Sequence, residues 1–88
     1  MKTKVAYLID NIEDYGKLLA YCIENDICVW RTYWDEREKT CRCYNIDYIS
    51  KRCFYATKQY YVRNGYVIIK PQFEIDKWGN YILQKVEV

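Results

Sequence analysis

The sequence predicts an α+β domain of order β-α-β-β-α-β-β: an antiparallel sheet with two helices on one face. Three observations predict it. Ile12, Tyr15, Leu19, Cys22 and Ile23 recur at the i, i+3, i+4 spacing of a single helix face. Ile49, Cys53, Ala56 and Tyr60 trace a second stripe of the same kind, closed by the helix-stopping pair Asn64-Gly65. Short runs dense in β-branched and aromatic residues, which suit a pleated half-buried surface, separate and flank these stripes.

The elements follow in order. Val5–Ile9 reads as a strand. Asp10 and Glu13 have the spacing of a capping box, so a helix starts at Asp10 and ends at Glu24-Asn-Asp26. Cys28–Trp34 is a strand, Asp35–Lys39 a charged turn or frayed hairpin end, and Thr40–Ile46 the returning strand. Asp47 or Ser50 caps the second helix, 49–63. Tyr66–Lys70 is a strand, and Pro71 makes its continuation an edge or a break. Phe73–Ile75 is extended, Trp78–Asn80 turns, and Tyr81–Val88 is a last strand. Without that last strand the order is the split βαβ order of ferredoxin-like folds.

Eighty-eight residues form one domain, 1–88. A chain this short buries only about 60–65% of its unfolded surface, so a metal or an interface would help it. A hydrophobic share of 51%, with three Gly and one Pro, marks a folded chain. The apolar N-terminal run is too short for a signal peptide, and no run reaches transmembrane length, so the cytosol is the expected compartment. No membrane partner is expected.

Five cysteines without export signals argue against structural disulfides. In the ferredoxin-like order, antiparallel helices bring Cys22 near Cys53 and Cys28, with Cys43 as a fourth member and Cys41 as its alternate. Four thiolates make a closed structural zinc site. The rival reading makes them small core residues, since free Cys is among the most buried types. The spacings Cys-X-Cys and Cys-X5-Cys are not zinc knuckles, and the chain has no His to share the metal.

The net charge of +2 hides an asymmetry. Nine of the twelve acids precede Tyr48, and none lies between Tyr48 and Phe73, where Lys51, Arg52, Lys58, Arg63 and Lys70 all fall. On a helix, Lys51, Tyr55 and Lys58 line one exposed stripe, flanked by Arg52. Such a stripe suits an acidic protein partner or nucleic acid, and the small net charge places nucleic acid second. A solvated helix face is the plain alternative. Eleven tyrosines, with Trp30, Trp34 and Trp78, offer large contact area at few rotatable bonds. No His, Gly-X-Ser-X-Gly, phosphate loop or His-Glu-X-X-His is present, so an enzyme is not expected.

In size, Tyr-rich faces and the Cys22, Cys28, Cys41, Cys43, Cys53 set, the chain resembles small phage and mobile-element anti-CRISPR proteins of the type II-A class. The resemblance implies a non-enzymatic inhibitor that binds a host RNA-guided nuclease and blocks DNA loading or cleavage. The acid-free segment departs from the acidic DNA mimics among them. The other expectation is a small nucleic-acid-binding regulator using the basic, Tyr-bearing helix face.

Overall fold

A computed structural model describes residues 4–29 and 34–84. The α+β class holds. The strands are β1 (Val5–Leu8), β2 (Cys28–Val29), β3 (Arg42–Asp47), β4 (Arg52–Thr57), β5 (Val67–Ile69), β6 (Phe73–Ile75) and β7 (Tyr81–Leu83). The helices are α1 (Ile12–Glu24) and α2 (Lys58–Arg63), with a 3₁₀ turn at Glu36–Glu38. The first five strands form one sheet in the order β2-β4-β3-β1-β5, and β6 and β7 form a separate hairpin. Among the described residues no helix is long and apolar enough to cross a membrane.

Three expectations need correction. The sheet is mixed, because β1 pairs parallel with β5 and β2 parallel with β4. The helices lie on opposite faces. Tyr7, Tyr44, Ile46 and Cys53 pack with Tyr15, Leu18 and Cys22 of α1, whereas Ala6, Cys43 and Ala56 pack with Tyr61 of α2. These are alternating positions along the same strands, so each helix covers its own side of the pleat.

The expected helix over 49–63 is half strand. Residues 52–57 pair with β3 through six positions, from Asp47↔Arg52 to Arg42↔Thr57. Cys53 and Tyr55 face α1, while Arg52 and Phe54 face the other way, which is period two rather than period 3.6. Asp47 caps a turn instead of a helix. Its Oδ1 accepts from the backbone N–H of Ile49 at 3.0 Å and of Ser50 at 3.3 Å. Lys51 closes that turn at φ 55°, in the left-handed region. The true N-cap is Thr57, whose hydroxyl accepts from Tyr60 N–H, so α2 starts only at Lys58. Asn64-Gly65 does end it, with Gly65 at φ 80°.

Helix α1 forms where expected, one residue later. Asn11 is its N-cap: Oδ1 accepts from Asp14 N–H at 2.8 Å and Nδ2 donates to Asp14 Oδ2 at 3.1 Å. The Asp10/Glu13 box is therefore replaced by Asn11/Asp14, and Asp10 instead pairs with Lys70. The buried stripe is Tyr15, Leu18, Tyr21 and Cys22, while Ile12 and Ile23 are exposed. The hairpin packs on α1 through Leu83, Phe73 and Tyr81, and Tyr81 N–H donates to Glu24 Oε2 at 3.2 Å. The expected turn at 78–80 is present, with Asp76 Oδ1 accepting from Trp78 and Asn80 N–H and Gly79 at φ 84°. The parts of the expected strands at 30–33 and 85–88 lie outside the described residues.

Candidate functional site

The five cysteines divide between the two sheet faces. Cys22 and Cys53 are both buried in the core cluster between α1 and the sheet. Cys43 is fully buried on the α2 face, where burial pushes its thiol up to about 11. Cys28 is exposed and pairs in register with outward-facing Arg52. Cys41 sits at the other end of the sheet, its thiol donating to Glu38 O at 3.5 Å. The fold thus leaves Cys22 and Cys53 in one core cluster and Cys43 in the other, with Cys28 exposed and Cys41 at the far end of the sheet. The expected four-thiolate arrangement depended on two helices sharing a face, which they do not. Among the described residues no three His, Cys, Asp or Glu gather as metal ligands.

The basic stripe is dispersed for a related reason. With 52–57 in a strand, Lys51, Tyr55 and Lys58 no longer share a side. Lys51 lies in the β3–β4 turn, Arg52 opens β4 facing outward, and Lys58 and Arg63 lie on α2. Lys58, Gln59, Val62 and Arg63 line a shallow surface depression of about 310 Å³. Tyr55 points to the α1 side, packs on the core, and donates from its hydroxyl to Glu38 Oε2 at 2.6 Å. Trp34 also packs on that core, with its Nε1–H donating to Glu36 Oε2 at 2.7 Å.

Tyr55 and Trp34 instead belong to a box around Arg42, which sequence reasoning missed. Arg42 is 0% exposed. Its guanidinium carbon lies 4.9 Å from the ring centroid of Tyr15, 5.0 Å from Trp34, 5.1 Å from Tyr55 and 5.6 Å from Tyr44. Its Nε–H donates to the Tyr44 hydroxyl at 2.5 Å. The box closes the end of the core where α1 begins. It is filled by the chain's own cation, so it works as a structural joint.

The opposite end of the molecule has a different character. There the last turn of α1, the β3–β4 turn and the β6–β7 turn come together. Tyr21 and Tyr48 hydroxyls meet at 3.0 Å, Cys28 N–H donates to Lys51 O at 2.9 Å, and Glu24 holds Tyr81. Five large apolar side chains are exposed on these segments: Ile23 74%, Tyr48 43%, Ile49 97%, Ile75 64% and Trp78 75%. Single exposed hydrophobes are ordinary, but several on converging segments are a recognition feature. The turns that carry Ile49 and Trp78 are held by Asp47 and Asp76 side-chain acceptors. Lys77 lies 4.5 Å over the Trp78 ring, and Lys51 and Arg52 follow Ile49. The sequence signal for this end was weak, since Ile49 looked like a core position.

Comparison with known families, proteins and solved structures gives no match to this chain.

Proposed function

We propose that this chain is a non-enzymatic protein-binding module that docks through the end formed by Ile23, Ile49, Ile75 and Trp78. The carrying observation is Ile49, 97% exposed at the tip of the longest strand pair and fixed there by the Asp47 turn. A large side chain carried on backbone that is already fixed adds no loop-ordering cost on entering a pocket, which favours a binding anchor. Trp78 supplies the aromatic partner of such a hot spot. Lys51 and Arg52 beside the tip favour an apolar pocket with an acidic rim.

The resemblance in size and composition supplies the partner to test first: a guide-loaded type II-A nuclease in the cytosol of a host cell, inhibited by contact. Titration calorimetry of the purified chain against that complex is the test. Binding that is lost in Ile49→Asp and Trp78→Ala supports the proposal. Binding that survives both removes this end from the contact, and no binding at all removes this partner.

A second reading rests on the depression beside Lys58 and Arg63. It makes the chain a small nucleic-acid binder. It requires an affinity for DNA or RNA that falls steeply with salt and with Lys58→Ala or Arg63→Ala.

A further inference from the structure

We infer that the part of the sheet left open beside α2 is a stacking platform for single-stranded nucleic acid, with Phe54 and Tyr60 as the rings that take bases. The inference rests on the second, nucleic-acid reading and gives that reading a surface. Strand alternation places Asn45 and Asp47 of β3, and Arg52 and Phe54 of β4, on the same side of the pleat as Cys43 and Ala56. Five strands about 4.8 Å apart span about 19 Å between the outer two. A single helix is about 10 Å across, and the six residues of α2 rise about 9 Å along it. Helix α2 therefore covers Ala6 and Cys43 but leaves Arg52 exposed and Phe54 41% exposed. The other face is covered by the 13-residue α1 and by the β6–β7 hairpin.

The open part is aromatic and basic. Buried Tyr61 ties it together. Its hydroxyl donates to Phe54 O at 2.8 Å, and its ring meets the rings of Tyr60 at 5.4 Å and Tyr66 at 4.8 Å, both edge-on. Tyr60 is 54% exposed, and Lys4 Nζ lies 5.5 Å from the Tyr66 ring centroid. Arg52 precedes Phe54 by two residues on the same side of β4, and Lys58 and Arg63 stand exposed on α2. Among the described strand positions on this side Asp47 is the only acid, and its Oδ1 already accepts from two backbone N–H groups. Cations set beside half-exposed rings match a chain of phosphates carrying unpaired bases. The phosphates meet the charges, and every base has a face to stack on a ring. A duplex keeps its bases stacked on one another and offers these rings no partner. An acidic peptide meets the cations but leaves Phe54 and Tyr60 without a planar group.

The test is fluorescence anisotropy of a labelled twelve-nucleotide thymidine oligomer titrated with the full chain, beside a duplex of the same length and polyglutamate as competitors. The single strand should bind about tenfold or more tighter than the duplex, with log affinity falling against log salt by about 0.7 for each phosphate held. Phe54→Leu keeps apolar bulk and loses the ring plane, so it should weaken binding by about five- to 150-fold, the range for one stacked base. Tyr60→Ala, at an exposed helix position, should act alike, and Phe54→Trp should restore affinity because it restores a ring. Urea unfolding of each variant separates lost binding from lost folding. Equal affinity for the duplex or for polyglutamate would overturn the inference. So would unchanged affinity in both Phe54→Leu and Tyr60→Ala; a loss confined to Lys58→Ala and Arg63→Ala would then keep the nucleic-acid reading without this platform. No binding at about 50 mM salt would remove both.

Discussion

Replacing Arg42 by lysine and by methionine separates the two ways its box can stabilise the fold. A desolvated cation gains about 2 kcal/mol or more from an aromatic face, and an exposed one about 0.5–1. Four rings share one guanidinium, so their sum is less than four times the desolvated value; we take about 2–4 kcal/mol. The Nε–H bond to Tyr44, with a charged donor, adds about 1.5–3 kcal/mol. Against this stands the desolvation of the cation, several kcal/mol in a folded protein. The opposing terms are similar in size, so the resident charge is close to neutral in net stability. Methionine removes both together and keeps sulfur–aromatic contact. Arg42→Met should therefore lie within about 1.5 kcal/mol of the native chain. Lysine keeps a charge that is more strongly hydrated and loses the plane that stacks on the rings. Arg42→Lys should destabilise by about 2–4 kcal/mol, despite its conservative appearance. Urea unfolding followed by tryptophan fluorescence reads this directly, with the lysine midpoint lower by about 1–2 M. Lysine equal to or better than methionine would refute the argument that stacking geometry, rather than charge, holds this joint.

Asn11→Ala should lower stability by about 0.5–2 kcal/mol, whereas Glu13→Ala should stay within about 0.5, a contrast that urea titration checks. Ile49→Asp and Trp78→Ala should leave the unfolding midpoint almost unmoved, within about 0.5 kcal/mol, while removing partner binding. Hydrogen bonds lower the pKa of Asp10, chiefly from Lys70, and of Asp47, chiefly from Ser50. Their stabilisation is therefore full above the unfolded carboxylate value near pH 4 and is lost as pH falls through the lower folded values, so Asp47→Ala should flatten the acid limb of a stability–pH curve. Burial raises the phenol pKa of Tyr7, Tyr44 and Tyr61. Their neutral forms stabilise the fold below about pH 10, and that contribution is lost as pH rises toward the folded values. Ultraviolet titration should accordingly show a late tyrosine fraction that ionises together with loss of secondary structure.

Much of the scaffold was legible because local chemistry decided it. Helix α1 has a long periodic stripe, and the stops at Asn64-Gly65 and 78–80 rest on residues whose backbone preferences are strong. The segment 49–63 misled because Ile49, Cys53, Ala56 and Tyr60 satisfy a helical period while Cys53 and Tyr55 satisfy a strand period. The deciding residues were polar: Asp47 closing a turn and Thr57 capping late. That single substitution of strand for helix moved Tyr55 inside and dispersed the expected Lys-Tyr-Lys stripe. It also left Ile49 at a turn in solvent. The placement of helices on opposite faces was not legible, because it follows from long-range strand pairing. Arg42 carried no sequence sign of burial, since the rings that enclose it come from residues 15, 34, 44 and 55.

The position of β1 bears on when the chain can fold. Strand β1 lies inside the sheet, between β3 and β5, and its register with β5 joins Val5 to Val67. Until residues 67–69 have been synthesised, one side of β1 has no strand to pair with. Contacts this distant in sequence close slowly, and an open strand edge invites pairing with other chains. The five-stranded sheet is thus completed only after residues 67–69 have been made. A truncated chain ending after α2 should aggregate, while the chain that includes β5 should not.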